Sequence, residues 1–317
     1  MMNRKQRKKL AALTKHWPSA MQFDVSMASY STLRAGGKTA ALIDVHDSAR
    51  LQELLEVLKE EQLVFRVIGR GSNILVTDKG FPGVIIRLKG EFEQIDLVEA
   101  PERGNLAQEE QLVQAGGGCS LGKLLSWCTR QGLSGLEFLT GIPGSAGGAV
   151  RMNAGAAGGE IGDAVHSLTL LDSESRVIRV PKSDLHFSYR RTEWQGDMFA
   201  SLIVASACFQ LLLADREKIH SRCADILAQR KGKQPTGAAS AGSFFKNPAG
   251  EAAGRVIEAA GLKGRCYGAA MVSAIHANFI VNTGGGSATD IVTLMEEVQD
   301  RVLQQFAVKL EPEVEII

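Results

Sequence analysis

Three short stretches gather side chains that chemistry could use. "FSYRRTEW" places Tyr189, Arg190 and Arg191 together. "AGSFFKNP" places Ser243, Lys246 and Asn247 in a loop flanked by glycine and proline, and "LEPEV" places Glu311 and Glu313 near the end of the chain. Each also reads as a turn or a solvated edge, because exposed polar residues are the norm. Two glycine-rich segments carry a different signal. "VIGRGSNIL", residues 67–75, delivers Gly69 and Gly71 from a strand into a tight turn, with Ser72 and Asn73 behind them. Such glycines free successive N–H groups for an anion, although the spacing also fits a plain hairpin turn. "TGIPGSAGGAVRMNAGAAGG", residues 140–159, holds seven glycines and one charge, Arg151. Glycine loses more backbone freedom on folding than any other residue, so this density needs a reason. A flexible linker would be Gly/Ser and polar, whereas Ile142, Val150 and Met152 lie among these glycines. Ordered turns, or backbone brought close to a ligand, remain.

Other patterns fall short. "GGKT" at 36–39 suggests a phosphate loop, but Thr32 stands where the first glycine is required and no helix pattern follows. No G-x-G-x-x-G joins a first strand to a first helix. The five cysteines, Cys119, Cys128, Cys208, Cys223 and Cys266, are irregularly spaced with no C-x-x-C. That favours a reducing, cytoplasmic setting over zinc or disulfides, and no metal site is expected. A net charge of +1 gives no global reason to expect nucleic acid or a membrane as partner. No apolar run approaches the length needed to span a bilayer.

The elements that would position these residues follow from periodicity. The basic opening, "MMNRKQRKKL", reads as a solvated, frayed arm within residues 1–30. Leu51, Leu54, Leu55 and Leu58 mark an amphipathic helix with Ser48 as its cap. Strands are expected at "VFRVIG", "ILVTD", "GVIIRL" and "LVQAGGG", with an exposed polar loop at 99–111. Ser120 caps a helix that Gly132 ends. A hairpin should occupy 164–181, a buried strand "IVASACFQLLL", and a helix the region from Asp215 to Ala228. From Lys231 the chain reads as loop. A short helix at "AAGRVIEAAGL", a strand at "HANFIVNTG", a long helix capped by Ser287 and a strand-like "EPEVEII" complete the chain. Without regular βαβ alternation, the class is α+β.

Seven stretches in order, "STLRAGG", "GRGSNILV", "GLSGLEFLTGIPGSAGGAVRMNAGA", "FSYRRTEW", "AGSFFKNP", "HANFIVNTG" and "LEPEV", resemble the UDP-N-acetylenolpyruvoylglucosamine reductases across residues 30–317. These are the flavoenzymes that make UDP-N-acetylmuramate for bacterial peptidoglycan. The short "GLKG"–"HANFIVN" connection is similar to the family's shorter subtype.

The resemblance implies a vanillyl-alcohol-oxidase-type (PCMH-type) FAD-binding domain in two subdomains, residues 31–213. A C-terminal α+β substrate domain, 214–317, would follow, its final strand returning to the active site. FAD would be non-covalent, and the "GRGSN" loop contains no histidine for attachment. NADPH would be the hydride donor and UDP-N-acetylglucosamine enolpyruvate the substrate, in a cytoplasmic monomer. FAD contacts would come from Arg34, Gly69, Arg70, Gly71, Ser72 and Asn73, and from Ile142, Pro143, Gly144, Ser145, Gly147, Gly148, Asn153, Ala154 and Gly155. Arg190 and Glu313 would stabilise the intermediate and Ser243 would donate the proton, with Lys246 as its local electrostatic support. Tyr189, Lys246 and Asn247 would touch substrate, and Lys231 and Lys233 could meet its diphosphate. Two positions depart from the family pattern: Ala157 replaces a usual tyrosine and Arg70 a usual lysine. Another flavin oxidoreductase of the superfamily, or a non-catalytic nucleotide-sugar-binding protein, is the alternative. The pairing of "AGSFFKNP" with "LEPEV" argues against the first, and Arg190, Ser243 and Glu313 together argue against the second.

Overall fold

The apolar runs at Lys38–Val45 and Phe81–Leu88 are buried almost end to end. That is the pattern of parallel strands covered on both faces. In the computed structural model, which describes residues 2–17, 21–98 and 109–317, they sit at the centre of a four-stranded sheet. Its order is Gln22–Ser26, Lys38–Val45, Phe81–Leu88, Phe65–Ile68, antiparallel at the first pair and parallel elsewhere. Helix Ser48–Glu60 makes the crossover and buries its four leucines beneath the sheet. Its cap is Asp47, not Ser48: the Asp47 carboxylate accepts the Arg50 N–H.

The N-terminal segment is not frayed. Arg4–Leu13 is a helix capped by Asn3 in a reciprocal capping box with Gln6, and Leu10 is fully buried. A basic composition suggested a solvated arm, but one leucine and Met2 suffice to dock it onto the Ser48–Glu60 layer.

A second, antiparallel sheet runs Val177–Pro181, Val165–Leu171, Ile203–Leu213, Glu110–Gly116, Ile95–Val98. It contains the expected hairpin and, at its centre, the expected buried strand Ile203–Leu213. Helix Leu121–Gln131, capped by Ser120 and closed by Gly132 at φ 71°, packs on it. The polar loop expected at 99–111 lies mostly outside the described residues.

Helix Arg216–Lys233 begins at its Asp215 cap and runs through Lys231 and Lys233, further than its periodicity suggested. It packs on Leu121–Gln131 and the 137–139 turn, not on the C-terminal sheet. That third sheet, Ala239–Ser240, Ile280–Asn282, Ala270–Val272, Cys266–Tyr267, carries helices Ala253–Ala259 and Ala288–Phe306. Its core also takes in Leu33, Ala35 and Leu75 from the first unit. The last strand, Glu315–Ile316, returns to pair in parallel with Ile74–Leu75. Among the described residues no helix is long and apolar enough to cross a membrane.

Candidate active site

The turn at 69–73 is not a hairpin. Phe65–Ile68 belongs to the first sheet, whereas Ile74–Leu75 pairs with the C-terminal strand. Because its two flanking strands part, the turn's N–H groups are not consumed by pairing. Among the described residues those of Arg70, Gly71, Ser72 and Asn73 have no intramolecular acceptor. The turn is held by its other groups. Gly71 O accepts the Thr32 N–H at 3.0 Å, Asn73 Nδ2 donates to Glu313 O at 2.9 Å, and Asn73 O accepts the Glu315 N–H at 3.0 Å. Gly71 sits at φ 65°, and any Cβ there would collide with Tyr30 O.

Facing this turn is the start of the 140–159 stretch. A Cβ on Gly69 would strike Ser145 Oγ, and one on Gly144 would lie 3.7 Å from Ser72 Oγ. Ser145 caps the short helix Ala146–Arg151. Among the described residues the N–H groups of Gly144 and Ser145 have no acceptor, like those of the turn opposite. Those of Gly147 and Gly148 are not: they donate to Gly117 O at 2.9 Å and Ser145 Oγ at 3.3 Å. Ile142 packs against the second core, while Pro143 is exposed. Ala154 continues the fold through bonds to Ala149 O and from Ile161 N. Asn153 is buried, its amide fully engaged with Ser188 O and Gly162 N. Arg151 turns its guanidinium over the Phe199 ring, and burial lowers its pKa. Exposed Arg34, at φ 51°, lies on the loop whose Thr32 braces the turn. Ala157 occupies φ 51° at an exposed hairpin tip beside Gly158 at φ 81°.

Close to these two segments, three of the side chains expected to do chemistry come together: Tyr189, Arg190 and Glu313. Arg190 Nη1 donates to Gly155 O at 3.1 Å, and its Nε lies 2.8 Å from Glu313 Oε1. Among the described residues, Arg190 Nε and Glu313 Oε2 are both buried without a hydrogen-bond partner. Burial raises the Glu313 pKa, against the opposing pull of Arg190 and then Lys246. Arg190 itself is held at φ 60°, a conformation L-residues rarely adopt. Half-exposed Tyr189 lies under its guanidinium and accepts the Asn247 N–H through its hydroxyl at 3.1 Å.

The Ser243 loop is sewn to the same place. Glu313 N donates to Phe244 O and Lys246 N to Glu311 O, both at 2.8 Å. Ser243 and Asn247 line a cavity of about 370 Å³ with His276 and Asn278. Lys246 Nζ lies 3.6 Å from Glu311 Oε2 and makes no hydrogen bond to Ser243. Lys231 and Lys233 lie on the Arg216–Lys233 helix and, among the described residues, form no hydrogen bond or ion pair with these groups.

Two site-building residues escaped the sequence reading. Asn278 grips Phe245 with both ends of its amide, accepting the Phe245 N–H at 2.9 Å and donating to Phe245 O at 2.8 Å. It thereby fixes the loop that carries Ser243. Asn282 donates to Leu33 O and Arg34 O, tying the third sheet to the loop beside the turn. Two asparagines inside the apolar run "HANFIVN" were the available signal, since buried amides require partners.

Residues 39–181 match the model of an FAD-binding domain, and residues 234–317 match that of the UDP-N-acetylenolpyruvoylglucosamine reductase C-terminal domain. UDP-N-acetylenolpyruvoylglucosamine reductase 2 of Symbiobacterium thermophilum is 42% identical over 287 residues, 90% of this chain and 89% of that protein. The chain belongs to this reductase family. The Syntrophus aciditrophicus reductase is 39% identical, over 94% of this chain and 92% of its own. The crystal structure of the Thermus caldophilus reductase superposes with a TM-score of 0.77 at 36% identity, covering 93% of this chain and 99% of that one. A VAO-type flavoprotein from Myceliophthora thermophila, 11% identical, shares the fold with a TM-score of 0.51 over 98% of this chain and 63% of its own.

Proposed function

We propose that Arg190, Glu313 and Ser243 carry out the chemistry of the family reaction in this chain. That reaction is the NADPH-dependent, FAD-mediated reduction of UDP-N-acetylglucosamine enolpyruvate to UDP-N-acetylmuramate for peptidoglycan. The observation that carries the assignment is the buried Arg190–Glu313 pair, with one unpartnered polar atom on each side chain, against the loop that bears Ser243.

The open N–H groups at 70–73 and at Gly144 and Ser145 suit the diphosphate of FAD, which fixed dipoles hold without a countercharge. FAD held there would supply the hydride, taken from NADPH, that the enolpyruvyl double bond requires. As one alkene carbon takes hydride, negative charge develops toward the neighbouring carboxylate. Arg190, pre-oriented by Gly155 O and Glu313, stabilises that charge. Glu313, its pKa raised by burial, holds a proton over a wider range of pH and can donate a hydrogen bond. Ser243 delivers the proton to the other carbon, and Tyr189, Lys246 and Asn247 hold the substrate. Gly147 and Asn153 shape the FAD cleft through the backbone they support. The third sheet, with the helices on it, forms the substrate domain within 214–317. The protein acts as a cytoplasmic monomer on small molecules, with no nucleic-acid partner.

The test separates the half-reactions by following flavin absorbance. Ser243→Ala should be reduced by NADPH at the normal rate, with reoxidation by the enolpyruvyl substrate slowed at least about 10²-fold, the scale for a lost positioned acid. Equal slowing of both halves would remove Ser243 from proton donation. Glu313 adds a pH signature. The fold favours its protonated form, so that contribution is complete below the ordinary carboxylate pKa and is lost as pH rises through the raised one. Reoxidation should therefore decline with rising pH in the wild type, and Glu313→Gln should flatten that limb.

A further inference from the structure

Six of the chain's 36 lysines and arginines lie within its first 15 residues, and the first acid is Asp24. The rest of the chain carries 30 basic side chains against 35 acidic ones, an asymmetry that a net charge of +1 conceals. Helix Arg4–Leu13 turns this composition into a face. Leu10 and Met2 anchor one side in the core beneath the helix. Arg7 pairs with Asp24, and Lys9 with Glu60 and Glu61, along the flanks. At about 100° per residue, Arg4, Lys5 and Lys8, with Lys15 in the following turn, fall opposite Leu10. Between them lie the exposed Ala11 and Ala12. All four cations are exposed, and none has a carboxylate partner among the described residues. The exposed acids of the adjoining helix, Glu53 and Glu56, form no ion pair with them.

We propose that this face docks the protein reversibly on an anionic phospholipid bilayer. The row is about 16 Å long, at about 1.5 Å per residue. It is a ridge of long cationic side chains separated by small ones, matched to a flat, diffuse negative surface. Three of the four cations are lysines, flexible point charges without the rigid fork that recognises a single phosphate. A single-stranded nucleic acid would call for aromatic stacking platforms beside the charges. Here Trp17 and Phe23 pack against the core instead. A duplex groove would have to admit the helix together with the Ser48–Glu60 layer it rests on. Among the described residues the face carries no apolar side chain larger than the methyls of Ala11 and Ala12, so the attachment is electrostatic and sensitive to salt. Each cation contributes about fivefold to binding at low salt, and four together on the order of 10²- to 10³-fold.

The test uses the full-length flavin-loaded protein, sedimented with vesicles of phosphatidylcholine alone or with about one-third phosphatidylglycerol. Binding should require phosphatidylglycerol and disappear in roughly 0.5 M salt. The quadruple variant Arg4→Gln, Lys5→Gln, Lys8→Gln, Lys15→Gln should lose at least about 10² in partition, with reductase activity unchanged. A control removes four exposed cations elsewhere, Arg130, Arg216, Lys218 and Arg222, each to Gln, and should keep most of the binding. Equal loss in both variants would show that overall charge, not this face, is responsible, and would overturn the proposal. So would equal binding to both vesicle types, or binding of a short RNA in preference to phosphatidylglycerol vesicles.

Discussion

Among the described residues, 70–73 leave four successive N–H groups open, whereas along 140–159 most N–H groups are bonded within the chain and two of the seven glycines, Gly147 and Gly155, bring backbone against backbone. Gly147 donates to Gly117 O, and a Cβ there would lie 3.0 Å from that oxygen and 3.3 Å from Val204 O. A Cβ on Gly155 would lie 2.9 Å from Gly159 O. The longer and richer segment is therefore largely occupied with its own chain, and its contribution to the cleft narrows to Gly144, Ser145 and the exposed side of the short helix. Glycine density reports that something must come close. Whether that is a ligand or another strand of the same protein is decided by where the N–H groups end.

Substitutions along the two segments can break or sharpen this contrast. The largest effect is expected at Gly71, where both the left-handed φ and Tyr30 O exclude a side chain. Gly71→Val should yield no folded yellow protein after gel filtration, with a stability loss above about 3 kcal/mol. Recovery of stoichiometric flavin would mean that the turn can be rebuilt without its glycine. Gly147→Ala should cost about 1–3 kcal/mol through overpacking, measured by denaturant unfolding, while the folded fraction keeps one flavin per chain. Flavin loss without destabilisation would return Gly147 to direct ligand contact. The smallest effect, and the sharpest, is at Gly148. It is exposed, and a Cβ there would meet only Ser145 Oγ, at 3.4 Å. Gly148→Ala should stabilise the flavin-free protein by about 0.5–1 kcal/mol, as helix propensity dictates. If flavin packs against that side, as proposed, the added methyl should also weaken flavin binding about tenfold in a fluorescence titration. Unchanged affinity would confine the cradle to the N–H groups of Gly144 and Ser145.

Local chemistry made much of this legible. Ser120 and Ser287 each precede a helix and cap it through their side chains, as their sequence position indicates, whereas at Ser48 the cap falls one residue earlier, on Asp47, because capping depends on residues about three positions apart. The 165–181 hairpin was readable for the same reason. What remained hidden depends on distant partners. Ile74–Leu75 is a strand only because Glu315–Ile316 lies beside it. The Arg190–Glu313 pair and the Asn278 clamp on Phe245 join residues with no sequence relation. The N-terminal helix was obscured by its own charge, since its docking rests on two apolar side chains whose partners lie 30 or more residues away. Motif order supplied the reactive residues, and tertiary pairing supplied their geometry.

The bonds from Asn73 to Glu313 O and from Glu315 N to Asn73 O span some 240 positions of the sequence. A chain emerging from the ribosome presents the turn at 69–73 long before those partners exist. Contacts this far apart in sequence raise the contact order, which slows folding. The turn at 69–73 is thus braced from a distant part of the chain, and its open N–H groups reach their final geometry only after residues 313–315 have been made. An interrupted chain lacking residues 313–315 would lose both of these bonds and keep only the Thr32 brace on the turn.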